Sequence, residues 1–355
     1  MSRAPLLERL TAPDGRMPRP VQPGWLLALM VANTVAAVGL FGDIARHVSL
    51  GFAVDTESDF LSSWHLVLYG GVAGVAVVLG AFAVAFGPRA PVVVLPSASG
   101  GLAALTLGGI VDAVWHEAFG IEASFGALVS PPHLVVLAGL VLLMIAPIGV
   151  VADGPSAPLD AVRSLVLALS VTSLLVVISL FTGYLTPLIG GSEFQAGAYV
   201  EPLIGTSYLD YDTSRGLGVT LWFGTLLSLV VVLVRARTAP VAGTWTVAFG
   251  LLGLAPLIAS GEVTLPLTAG LVVFGVLSDL TATRSRPHPL ATGLTVAAMW
   301  AAMFSVIGAR GDLLWGRELW GGVIVTGFLV GTATCGAIRW VTSPARVAPR
   351  ADVGL

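Results

Sequence analysis

Ten stretches of this 355-residue chain are apolar for long enough to cross a bilayer. A spanning helix needs about 20 consecutive apolar residues. The candidates fall at 24–46, 62–86, 94–117, 131–152, 162–187, 215–235, 240–259, 264–282, 289–309 and 318–341. No water-soluble core could hide that much apolar surface. Hydrophobic residues make up 56% of the chain and charged ones 10%, against about 25% charged in a soluble domain. The expected fold is therefore all-α: a polytopic membrane helix bundle of about ten transmembrane helices, with the lipid bilayer as its solvent.

The arginines set an orientation. With the N-terminus inside, thirteen of the seventeen basic residues lie in inner segments. Only Arg46, Arg215, Arg310 and Arg317 lie in outer ones. Basic residues collect on the cytoplasmic side, so the expectation is a multi-pass protein of the cytoplasmic (inner) membrane with both termini cytoplasmic. The run after the N-terminal tail meets Asp43 and Arg46 rather than a small-residue cleavage site, and reads as an uncleaved first span. The chain then divides into a tail at 1–23, a four-helix unit at 24–152, a six-helix unit of unassigned role at 153–341 and a tail at 342–355. The acidic outer loop at 188–214 carries no assigned chemistry. There is no basic tract, which argues against a nucleic-acid partner. Cys335 is the single cysteine and sits in an apolar run, so it reads as packing. Further copies of the chain or additional membrane subunits are open as partners.

The ionisable residues inside the spans are not scattered. "GDIARHV" and then "SSWHLVLYGG" place Asp43, His47 and His65 around one loop. "VDAVWHEAF" and then "SPPHLVVLAG" place Asp112, His116 and His133 around another. The offset between the two sets is 69 residues at the Asp, 69 at the first His and 68 at the second. One two-helix unit occurs twice, at 24–86 and 94–152. An even number of spans keeps both copies in the same orientation. Asp and His four apart share one helix face, and the second His opens the returning helix. Each unit can thus gather one carboxylate and two imidazoles at one level, toward the outer face. Such groups are costly in a bilayer and default to a functional reading.

Two His and one carboxylate form a common metal-ligand set, for iron(II), zinc or copper alike. A proton relay and a b-type haem are competing uses of the same histidines. Glu117 follows His116 on a different face, and Tyr69 lies one turn beyond His65; both are candidates for supporting the ligands. Trp64 and Trp115 need no cofactor to explain them at an interface. In the second half, His288 reads as a solvated loop residue and Asp279 as a headgroup-level acid paired with Arg284. No phosphate loop, Ser-His-Asp arrangement or c-type haem motif is present.

Across about residues 40–140, the triplets resemble the metal-binding region of the C subunit of copper membrane monooxygenases, the particulate methane and ammonia monooxygenases. "SDFLSSWHLVLY" is similar to that family's segment around its third ligand. "IVDAVWHEAFGIEASFGALVSPPHL" is similar to the segment holding its second triplet, including a proline ahead of the last His. The resemblance implies two neighbouring sites, Asp43/His47/His65 and Asp112/His116/His133, holding one or two copper ions. It also implies O2-dependent oxidation of a small apolar or lipid-like substrate. Asp112 stands where the family commonly has Asn, and the gaps between the paired histidines are a few residues longer. The rival expectation is a non-enzymatic protein that binds, delivers or transports copper or another metal.

Overall fold

The computed structural model describes residues 22–49, 62–86, 94–120, 128–152, 158–188, 208–260, 264–282, 287–313 and 315–342. At 45–49, 86, 94–96, 184, 208–215 and 259–260 it describes the backbone alone. Residues 1–21 and 343–355, the outer segments 50–61 and 189–207, and Arg284 lie outside these residues.

The described residues form helices and no strand. In chain order these are α1 (Pro23–Ser49), α2 (Ser63–Phe86), α3 (Val94–Phe119), α4 (Pro131–Ala152), α5 (Ala161–Phe181), α6 (Tyr208–Arg235), α7 (Thr244–Leu254), α8 (Pro256–Ser260), α9 (Leu265–Thr281), α10 (Pro289–Ala309) and α11 (Arg317–Thr342). Eight are long and apolar enough to cross a membrane. Two shorter apolar stretches, Thr244–Ile258 and Leu265–Thr281, fill the seventh and eighth predicted spans. Every predicted span thus has a helix, and the chain is a multi-pass membrane protein in contact with lipid.

The seventh span is broken where α7 stops at Leu254 and Pro256 opens α8. Proline cannot donate the hydrogen bond that would continue the helix. α6 begins at Tyr208, before the predicted 215, but its apolar part, Gly216–Arg235, keeps the predicted bounds.

The first four helices pair two by two. α1 packs chiefly on α2 and α3 chiefly on α4, so the repeat folds as two antiparallel hairpins. α1 also ties the hairpins to the rest. The buried Asn33 amide donates to the Leu143 carbonyl of α4 at 2.7 Å, and Thr34 shares a 3.3 Å hydrogen bond with Ser173 of α5. α5 is the most enclosed span, 78% buried. α2 and α3 are the outer members of their hairpins, each 22% buried, and offer most of their surface to lipid.

Glycine sets how closely each hairpin closes. A Cβ on Gly39 would strike the Leu68 backbone of α2, and one on Gly71 would strike Ala36 of α1. In the second hairpin, a Cβ on Gly108 would lie 2.8 Å from Val136, and one on Gly139 would lie 2.7 Å from the Leu105 nitrogen. Such backbone contact is the usual means of packing membrane helices that gain nothing from the hydrophobic effect. It draws the facing ends of each hairpin together, where the ionisable residues lie.

Candidate metal centre

α3 supplies two of the second triplet's side chains. Asp112 and His116 are one turn apart, and Asp112 Oδ2 lies 3.5 Å from His116 Nε2. The helix ends directly beyond them. Gly120 takes a φ of +82°, open to glycine at little cost, and its N–H donates to the His116 carbonyl at 2.9 Å. That stop is the usual glycine termination of a helix. It also brings the Gly120 carbonyl to 3.3 Å from His116 Nδ1. A carbonyl only accepts, so Nδ1 is the donor here and Nε2 is the nitrogen that faces Asp112.

α4 supplies the third side chain. Ser130 precedes it, and Pro131 occupies the first helical position, where a missing N–H costs nothing. His133 then sits in the first turn, its Nδ1 3.5 Å from Asp112 Oδ1. The His116 and His133 rings lie 6.0 Å apart, inclined at 64°. Ligand atoms of Asp112, His116 and His133 all fall within 4.8 Å of one another. The sequence prediction that these three converge is met.

The first hairpin also brings its carboxylate and second histidine together, here through Nε2 rather than Nδ1. Asp43 is 8% exposed, and its Oδ2 lies 3.4 Å from His65 Nε2. His47 belongs to α1, but its side chain lies outside the described residues. The two units stand close together. Tyr69 stacks on His65 at 5.7 Å between ring centres and lies within electrostatic reach of both Asp43 and Asp112. Glu117 is exposed on the turn beside His116.

The distances discriminate between uses. A charge-assisted N–H···O bond spans about 2.7–2.9 Å. The Asp–His separations are 3.4 and 3.5 Å, too long for that. Two ligand atoms each about 2.0–2.1 Å from a tetrahedral ion lie about 3.3 Å apart. Asp112 Oδ1 is also buried with no hydrogen-bond partner, a costly state for a carboxylate oxygen unless something charged completes it. The donor set, its spacing and the orphaned oxygen all fit a metal ion.

Some of the site's residues were not singled out from sequence. Ser62 and Ser130 touch the histidines directly. Gly39 and Gly108, each four residues before the Asp, and Gly139, six after the second His, close the hairpins together with Gly71, which the run "GGVAGVAVVLG" already offers for close helix packing. All keep the 69- and 68-residue offsets, so extending the comparison of the two units outward from the ligands would have found them.

The second half of the chain uses its acid differently. Asp279, near the end of α9, accepts from the Trp245 N–H at 3.1 Å, the Thr246 N–H at 2.8 Å and the Thr246 hydroxyl at 2.7 Å. It caps α7, whose own N-cap, Gly243, has no side chain for the task. The expected partner Arg284 lies outside the described residues; among the described ones, open helix N–H groups inside the bundle claim the carboxylate that reaches them. His288 is exposed and Cys335 buried, as expected.

Comparison with protein-family models, curated proteins and solved structures finds no match to this chain.

Proposed function

We propose that this chain is an integral-membrane metal-binding protein with two Asp-His-His sites, built on the paired hairpins of its first four helices. The observation that carries the reading is the convergence of Asp112, His116 and His133 around a buried carboxylate oxygen with no hydrogen-bond partner. The Asp43–His65 pair, at matching positions and spacing, supports a second site completed by His47. Copper is the ion we assign, on the resemblance to the C subunit of copper membrane monooxygenases. On the same resemblance the activity to assay is oxidation of a small apolar or lipid-like substrate by O2. The outer face of the cytoplasmic membrane is the location that the arginine distribution supports.

The second reading is binding or delivery without redox chemistry. It is favoured over translocation by the state of the second half, where Asp279 is taken up in capping α7. Arg235 is likewise engaged, donating to Thr281 Oγ1 at 3.2 Å. Neither is left to line a polar path.

The test is metal content of the detergent-purified full chain, beside the double variant His47→Ala/His116→Ala. One or two equivalents of copper, lost in the variant, are expected. Zinc or iron at that stoichiometry would keep the sites and remove the copper assignment. No metal in the parent, even after incubation with copper, would sink the reading.

A further inference from the structure

Ser62 stands three residues before His65, and Ser130 three before His133. Both serines are buried, at 8% and 6% exposure. Both set Oγ on Nδ1 of the following histidine, at 3.1 Å in the first unit and 2.7 Å in the second. A polar contact at the same atom, in both copies of a repeat, marks a device of the unit rather than of one loop.

The hydrogens can be placed. Ser62 donates its hydroxyl to Asp43 Oδ1 at 3.4 Å. With its hydrogen so directed, the oxygen offers the imidazole lone pairs, which favours Nδ1 of His65 as the donor. The nitrogen without hydrogen is then Nε2, the one that faces Asp43 Oδ2. In the second unit, Nδ1 of His133 faces two oxygens, Ser130 Oγ and Asp112 Oδ1. The 2.7 Å contact repeats the hydroxyl-to-Nδ1 arrangement of the first unit. His116 reaches the same state through the Gly120 carbonyl.

We propose that Ser62 and Ser130 are positioning residues: each hydroxyl holds its histidine as the Nδ1–H tautomer and leaves Nε2 as the atom that binds a transition-metal ion. This rests on the metal-site reading and adds what aims the ligands. A neutral imidazole ligates through the nitrogen that lacks hydrogen, and the hydrogen bond at the other nitrogen decides which that is.

Ser62 also accepts the His65 N–H at 3.1 Å, as a helix N-cap does. Capping alone could explain a serine there, so the test must separate the two roles. Glycine is close to serine as an N-cap but has no hydroxyl. The full chain, with isotope-labelled histidine, is examined in detergent without metal by nitrogen NMR. Five histidines keep the spectrum assignable. The expected parent has His65 and His133 as Nδ1–H. Ser62→Gly should shift the tautomer of His65 alone, and Ser130→Gly that of His133 alone. Threonine at either position should restore it. Titration with zinc(II) should then show each glycine variant weakening one of two sites by about 10- to 100-fold, with threonine restoring it.

A parent with both histidines as Nε2–H overturns the proposal without recourse to any variant. So do glycine variants with unchanged tautomers. Failure of the parent to bind zinc or copper removes the metal reading instead, and the metal-free tautomers still decide whether the serines set the rings.

Discussion

Asp112, near the end of α3, and Asp279, near the end of α9, begin from the same local design. Each has a glycine one turn earlier, Gly108 and Gly275, against which the neighbouring helix closes. What lies opposite differs. Asp279 faces the N-terminus of α7 and accepts from two N–H groups and a hydroxyl. Asp112 faces two imidazoles at 3.5 Å and keeps a buried oxygen with no hydrogen-bond partner. One carboxylate is saturated by the protein and stabilises it. The other is left short of partners, which suits a ligand and costs the fold something. The lesson is that an acid inside a membrane bundle is read from its partners, not from its presence.

The sharpest way to break this comparison is to remove each acid and measure both properties. Asp279→Ala should cost about 3–4 kcal/mol, because two backbone N–H groups and a hydroxyl lose a charged acceptor. A thermal melt in detergent would show it, while metal bound per folded chain stays at the parent value. Asp112→Asn should do the reverse. Metal affinity at that site should fall by about 100-fold, equivalent to about 2.7 kcal/mol. Metal-free stability should be unchanged or slightly higher, since the buried charge goes. If Asp112→Asn lowers the metal-free melting temperature as Asp279→Ala does, the two acids are both structural and the contrast is lost.

The glycines sharpen the contrast at a smaller scale. Gly275→Val and Gly108→Val both push a side chain into a facing helix: a Cβ would lie 2.6 Å from the Trp245 carbonyl oxygen in one case and 2.8 Å from Val136 in the other. Each should cost about 1–3 kcal/mol by overpacking. Only Gly108→Val should also weaken metal binding, because it wedges apart the helices that carry Asp112 and His133. Equal metal affinity in the two variants would mean that the site tolerates a wider hairpin than the geometry implies.

The ten apolar stretches were legible because a bilayer imposes length and hydrophobicity on every span. The ligands Asp112, His116 and His133 were legible for a different reason: a repeated spacing carries information that a lone histidine does not. Asp279 was not, because its partners are backbone N–H groups of α7, which no side-chain pattern reveals. Nor were the serines, although they sit within the compared segments. A serine before a membrane helix is ordinary as a cap, and its second contact, to the histidine ring, exists only once the helix has formed.

Glu117 gives the smallest expected effect and the most stringent check on reading acids by their partners. It adjoins His116 in sequence, carries the same charge as Asp112 and would be drawn into the site by proximity alone. A helix turns about 100° per residue, so a neighbour in sequence points away from the face that holds His116 and Asp112. Glu117 is exposed, whereas Asp112 has 16% of its side-chain surface accessible. An exposed carboxylate is screened by water and contributes little. Glu117→Gln should therefore change metal affinity by less than about twofold, the range of a surface substitution, in the same zinc titration that resolves Asp112→Asn. A tenfold loss would place Glu117 among the groups that hold the ion, and would mean that the last turn of α3 rearranges when metal binds.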